Sequence, residues 1–230
     1  ICYQTAHAID LAHRSGDEAE RQAAQERANL LTPIAKAFST DIGVEVASIG
    51  VQVHGGMGFI EETGAAQHLR DARIAPIYEG TNGIQAIDLV TRKLPMSGGA
   101  AVSAYIGELR DTARAVSESN QPVFGRMGQR LTEAVDALET ATTWMLGALK
   151  DNPDTALAGA TPYLRLFALA GGGAALAKGA LAAQPAGDGA VHVATARFFA
   201  ENLCPAADGL AGTVMGGAET VLEAGPVLAN

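Results

Sequence analysis

One carboxylate in this chain stands where chemistry can be done. Glu79 lies between Tyr78 and Gly80, after the apolar run Ile74-Ala75-Pro76-Ile77 and just before a helix start. A carboxylate in apolar surroundings has its pKa raised and can accept a proton near neutral pH. Backbone N–H groups of the same segment can donate to a carbonyl oxygen. One residue could thus supply a base and an electrophilic donor together, although a lone glutamate is ordinarily a solvated charge. Glycines at 55, 56, 58, 80 and 83 lie on both sides of it, and glycine lets backbone come close to a ligand. Gln52 to Gly58 reads either as a helix terminator or as a weak phosphate signal. Thr81 is either a helix cap or a hydroxyl offered to a phosphate or ribose.

The other candidates carry less. His7, His13, His54, His68 and His192 show no metal-ligand spacing, so no metal site is expected. Gly171-Gly172-Gly173 followed by Lys178-Gly179 lacks the order of a phosphate-binding loop and reads as a place where helices approach closely. Cys2 and Cys204 cannot build a disulfide framework and read as small buried hydrophobes in a reducing compartment. Trp144 and Met145 read as core or interface.

The elements that must position Glu79 are helices. Residues 1–13 have helical propensity and end at Ser15-Gly16; residues 17–27 are polar, a loop or an exposed helix face. Thr32-Pro33 is a helix-start signal. Phe38, Ile42, Ile49 and Val53 then share one face, which predicts a helix over 32–54 stopped by His54-Gly55-Gly56. A shorter helix over 64–73 follows. Pro76 turns its predecessor away from α geometry, so 78–80 is a connection, and a helix runs over 81–94 with Asp88 and Arg92 paired on it.

Residues 95–99, Pro-Met-Ser-Gly-Gly, form the clearest boundary, and it divides 1–95 from 98–230. Beyond it, Val102, Ile106, Leu109, Ala113 and Val116 define one helix. Leu131, Val135, Leu138, Thr142, Met145 and Leu149 define a second with a narrow seam. Asn152-Pro153 breaks it, and Thr161-Pro162 opens a third that runs to about 181. After a break at 187–189, Val191, Ala194, Phe198 and Leu203 mark the face of a fourth. A last helix is expected over 210–222. Short breaks between such helices predict an up-and-down bundle. The fold class is therefore all-α: one helical bundle followed by a second.

The totals agree with this and exclude other classes. Hydrophobic residues make up 48% and charged residues 18%, enough to bury a core. Aromatics are only 5%, with Ala and Gly abundant, which favours closely packed helices over strands. A net charge of −9 leaves no basic footprint for nucleic acid. The most apolar run, 166–177, is too short to cross a bilayer, and no signal peptide is seen. A cytoplasmic location is expected. Ile1 is not an initiator, so the chain reads as a piece of something longer.

Three motifs in order, Gln52-x-x-Gly55-Gly56-x-Gly58-Phe59, Arg70-Asp71-Ala72-Arg73-Ile74 and Ile77-Tyr78-Glu79-Gly80-Thr81-x-x-Ile84-Gln85, closely resemble the C-terminal helical domain of flavin-dependent acyl-CoA dehydrogenases. The resemblance covers about 1–95. By position and composition, 98–230 is similar to the helical extension of one subset, the 3-methylmercaptopropionyl-CoA dehydrogenase-like enzymes.

The resemblance implies an FAD enzyme that introduces a 2,3-double bond into an acyl-CoA and passes electrons to an electron-transfer flavoprotein. Glu79 would remove the α-proton while its N–H polarises the thioester carbonyl, and Gly80 would line the substrate channel. Gln52, Gly55 and Gly56, with His54 in their turn, would meet the FAD of a neighbouring subunit; Thr81 and Gly83 would meet FAD near their own site. The family often has glutamine where this chain has Gly83, which leaves only backbone contact there. A homodimer is expected, its extension occupying surface that shorter relatives use for tetramers. Two alternatives stay open: a helical assembly module without activity, and part of an acyl-CoA oxidase.

Overall fold

The computed structural model describes residues 1–183 and 189–228, and every described element is helical. Helix α1 (Cys2–Arg14) lies against α2 (Glu18–Val53), and the two are joined by Ser15-Gly16-Asp17. Asp17 caps α2, its Oδ1 accepting the Ala19 N–H at 2.9 Å. Residues 18–27, expected as a loop or exposed helix face, are thus the opening turns of α2.

Thr32-Pro33 does not start a helix. It lies inside α2, and Thr32 Oγ1 donates back to the Ala28 carbonyl at 2.7 Å instead of capping forward. An interior proline costs about 3 kcal/mol. Leu30, Leu31 and Ile34 around it are fully buried, at about 1.5–3 kcal/mol each, and together they outweigh the break. The expected face of 32–54 is also only half covered: Phe38 packs on the core, whereas Ile49 and Val53 are exposed at 54% and 79%.

Short helices α3 (Gly56–Phe59) and α4 (Ala65–Ala72) fold back on α2. Helix α5 (Asn82–Asp88) widens into a π-helical turn over Leu89–Lys93, so the helix expected over 81–94 changes register midway. Asp88 meets Arg92 at 3.1 Å, as expected. A 3₁₀ turn, Met96–Gly99, with left-handed Ser97 and Gly98, leads into α6 (Ala100–Glu118).

Helices α6, α7 (Met127–Asp151), short α8 (Pro153–Ala158), α9 (Ala160–Ala183), α10 (Gly189–Asn202), α11 (Ala206–Gly216) and α12 (Ala218–Leu228) complete the chain. The seams expected of α6 and α7 are buried, with Leu149 at the margin. Helix α9 is the hub, packed by α6, α7, α10 and α11. Its Phe167 stacks on Tyr105 of α6 at 5.5 Å and meets Tyr163 edge-on at 6.2 Å.

Three expectations in this half need correction. The apolar run at 166–177 belongs to a 24-residue helix whose best window has a mean hydropathy of 1.5, sufficient by length and composition to cross a bilayer. Its place at the centre of the bundle accounts for that composition, since a helix apolar all round is a buried one. The face of α10 is reversed: Val193, Ala196 and Ala200 are buried, while Val191, Phe198 and Leu203 are exposed. Helix α10 packs on α9, where the ring of Phe199 fills the space left by the glycines, 3.5 Å from the Cβ position of Gly172 and 3.6 Å from that of Gly173. The final helix is two, parted at Gly217, where a Cβ would lie 2.7 Å from the Thr213 carbonyl oxygen. Of the break expected at 187–189, positions 187 and 188 lie outside the described residues.

One buried cluster runs from Leu30, Leu31 and Ile34 of α2 through Leu89 and Leu94 into α6, α7 and α9. At the surface, Arg27 of α2 grips Glu108 of α6 through Nη1 and Nη2 and lies 4.9 Å over the Tyr105 ring. Helix α2, which carries the candidate site, is therefore fixed against the rest of the chain.

Candidate functional site

The sequence places seven residues in a site, and the structure divides them between two places on α2. Glu79, Gly80, Thr81 and Gly83 lie beside its middle, where Asn82 bonds to Ala37, Thr40 and Asp41. Gln52, Gly55 and Gly56 lie at its C-terminal end. The helix rise sets these apart by about 20 Å.

The segment carrying Glu79 is a tight loop. The Asn82 N–H donates to the Pro76 carbonyl at 3.0 Å and closes the loop at its base. Glu79 has φ 53 and Gly80 has φ 86. Left-handed backbone is ordinary for glycine; for glutamate it costs of order 1–3 kcal/mol and persists only where the surroundings hold it. Among the described residues, the N–H groups of Glu79, Gly80 and Thr81 have no acceptor, and the Glu79 carboxylate has no hydrogen bond or ion pair.

Glu79 is exposed, as are its neighbours Ile77 and Tyr78. The apolar enclosure expected around the carboxylate is thus not supplied by this chain. Thr81 caps α5, its Oγ1 accepting the Ile84 N–H at 3.3 Å. A Cβ at Gly83 would meet nothing nearer than Thr81 Oγ1 at 3.9 Å, which leaves that backbone open.

The distal corner sorts its glycines by cause. At Gly58 a Cβ would stand 2.2 Å from the Val51 carbonyl oxygen, so packing alone demands glycine. Gly55 has φ 60, which the turn requires. Gly56 has neither reason: a Cβ there meets nothing within 4 Å. Its bare backbone faces outward beside Gln52, whose side chain is also exposed. His54 is exposed as well, its Nδ1 2.8 Å from the carbonyl of Gly50 one turn back. Exposed Val53, Met57 and Phe59 surround the corner. Open backbone of this kind is what a pyrophosphate can approach, so these residues fit a dinucleotide cofactor.

The sequence reading missed Lys36, Thr40 and Asn82. Lys36 Nζ donates to the Gly80 carbonyl and to Asn82 Oδ1, both at 2.8 Å. Lys36 and Thr40 are one helical turn apart, a spacing that puts them on one face. The available signal was a polar pair at i and i+4 interrupting the apolar pattern of α2. Among the described residues, no group of three or more His, Cys, Asp or Glu side chains could hold a metal ion.

Comparison with known proteins bears on the whole chain. Residues 2–94 match the family described as acyl-CoA dehydrogenase, C-terminal domain, and residues 105–225 match that described as acetyl-CoA dehydrogenase C-terminal like. A 3-methylmercaptopropionyl-CoA dehydrogenase from Ruegeria pomeroyi is 42% identical over 202 residues, covering 85% of this chain and 34% of that protein. A butyryl-CoA dehydrogenase from Syntrophomonas wolfei is 29% identical over 220 residues, covering 89% and 35%. The chain thus spans about a third of the length of the curated relatives it matches. In fold it is similar to Caenorhabditis elegans ACDH-11, solved in complex with C11-CoA, at a TM-score of 0.68 and 20% identity over 86% of this chain and 32% of that one. With both halves matched in order and the helical architecture shared, the chain belongs to the acyl-CoA dehydrogenase family.

Proposed function

We propose that the full-length protein dehydrogenates an acyl-CoA thioester between Cα and Cβ, with Glu79 as the base. The observation that carries this is the pairing, on one left-handed residue, of a carboxylate without internal partners and an N–H without an acceptor. A thioester placed over this loop has its carbonyl oxygen polarised by that N–H, which acidifies the α-carbon. The α C–H bond then breaks and its proton passes to the Glu79 carboxylate. The electron pair left behind forms the new double bond as the β C–H bond gives up its hydride. FAD, when bound, supplies the two-electron acceptor for that hydride. Gly80 lines the channel beside the base. Thr81 and the backbone at Gly83 serve the cofactor of their own site, and Gln52, Gly55 and Gly56 that of a second subunit in a homodimer.

A separation of about 20 Å along α2 supports this division, because it lets one helix serve two cofactors. The electrons go on to an electron-transfer flavoprotein. A second reading has one observation in its favour: Glu79 is exposed and its site is open. The chain on its own is then a helical assembly unit that holds no stoichiometric FAD, and activity belongs to the longer protein.

The test is flavin reduction by full-length protein. Addition of acyl-CoA bleaches the flavin absorbance of the native enzyme, and Glu79→Gln keeps the bound flavin and abolishes the bleaching. Bleaching at the native rate by that variant removes Glu79 from the reaction.

A further inference from the structure

The loop that presents Glu79 is held at two points of different kind. At its base Asn82 is anchored by several bonds: its N–H to Pro76 O, and its Nδ2 to Ala37 O at 3.0 Å, Thr40 Oγ1 at 2.9 Å and Asp41 Oδ1 at 2.7 Å. Near its tip, among the described residues, the side-chain hydrogen bond comes from Lys36 alone. Lys36 Nζ donates to the Gly80 carbonyl at 2.8 Å and braces against Asn82 Oδ1 at the same distance. That carbonyl ends the left-handed Glu79–Gly80 pair, whose conformation glutamate does not adopt unaided.

We propose that Lys36 is a positioning residue for Glu79, gripping the Gly80 carbonyl so that the carboxylate and N–H of Glu79 are presented together to the thioester. The role rests on Glu79 being the base, as proposed above. Loss of the ammonium leaves the Gly80 carbonyl without its partner. The bonds of the Asn82 side chain to Ala37, Thr40 and Asp41 of α2 remain, so the loop stays attached while the peptide after Glu79 is free to turn. A base misplaced by about 1 Å costs about 10²-fold in rate.

The experiment uses full-length protein and acyl-CoA in D2O, and reads deuterium uptake at Cα by mass spectrometry. In this exchange the α C–H bond breaks, its proton goes to the Glu79 carboxylate, the electron pair spreads into the thioester carbonyl, and a solvent deuteron returns. Lys36→Met is expected to slow exchange about 10²-fold, with KM within about twofold and flavin content unchanged. Lys36→Arg, which keeps a cation and donors, is expected to recover most of the rate. Native exchange in Lys36→Met overturns the proposal. So does a raised KM at native turnover, no recovery by Lys36→Arg, or loss of flavin, each of which makes the role binding or structural. Glu79→Gln separates the two claims: if it exchanges at the native rate, the base is elsewhere and both fall; if it is inert while Lys36→Met is native, only the positioning role falls.

Discussion

Gly58 presses its bare Cα against Val51 so closely that a Cβ would lie 2.2 Å from the Val51 carbonyl oxygen and 2.9 Å from His54 Cβ. Two residues away, the Cβ position of Gly56 is open. The same motif therefore holds one glycine required by the fold and one that the fold does not require. Gly58→Ala is expected to destabilise the protein by about 1–3 kcal/mol, since backbone must move to admit the methyl. Gly56→Ala is expected to stay within about 0.5 kcal/mol of native in urea unfolding and to lower the flavin retained by full-length protein after gel filtration.

Helix α9 makes a similar contrast along one element. At Gly173 a Cβ would stand 2.8 Å from Leu131 Cδ2 and 2.9 Å from Cys204 Sγ, whereas Gly179 is exposed with nothing within 4 Å. Gly173→Ala is expected to cost about 1–3 kcal/mol by overpacking. Gly179→Ala is expected to stabilise by about 0.5–1 kcal/mol, because glycine is the poorer helix former. Urea midpoints of the two variants should move in opposite directions.

These glycines show why some of the molecule was legible in its sequence and some was not. The seams of α6 and α7 could be read because their large apolar residues recur at helical spacing and nothing competes for them. The face of α10 was misread because Val191 and Phe198 are as apolar as the residues that are buried, yet the buried row is Val193, Ala196 and Ala200, and it is Phe199 that reaches the glycines of α9, 3.5 Å from the Cβ position of Gly172. Apolar spacing alone does not say which side of a helix meets its neighbour; the neighbour's surface decides it. Proline at 33 misled for a related reason: the local cost was visible, but the burial of Leu30, Leu31 and Ile34 that overrides it is tertiary. Glu79 and Thr81 could be picked out by their neighbours in sequence. Lys36 was missed because its bond to Gly80 spans 44 positions.

The contact between Arg27 and Glu108 joins α2 to α6 on the surface, with both side chains partly in water. Exposed pairs contribute little, and salt screens them. The bidentate geometry and the Tyr105 ring beneath the guanidinium raise this one toward the upper part of that range. A double-mutant cycle of Arg27→Met and Glu108→Gln is expected to give a coupling of about 0.5–1 kcal/mol, falling when the salt concentration is raised to about 1 M.

The core also sets how the protein responds to alkali. Burial pushes the Tyr105 hydroxyl and the Cys204 thiol up to about 12 and raises Tyr163 as well, against which the hydrogen bond with Thr142 acts in the opposite direction. In an unfolded chain these groups titrate near 10 for tyrosine and about 8.5 for cysteine. Raised folded values mean that their contribution is complete below the unfolded pKa and is lost as pH climbs toward the folded one. Through that window only the unfolded chain releases protons, at about 1.4 kcal/mol per pH unit for each fully titrating group. Stability to urea is therefore expected to hold level from about pH 7 to 8 and to fall from about pH 9 upward. Tyr163→Phe removes the hydroxyl that lies 2.7 Å from Thr142 Oγ1, while Thr142 keeps its bond to the Leu138 carbonyl. This variant is expected to start about 1 kcal/mol lower at pH 7 and then to lose stability less steeply with pH, so that the two curves converge above about pH 10. Parallel curves would mean that the Tyr163 hydroxyl ionises as readily in the folded protein as in the unfolded chain.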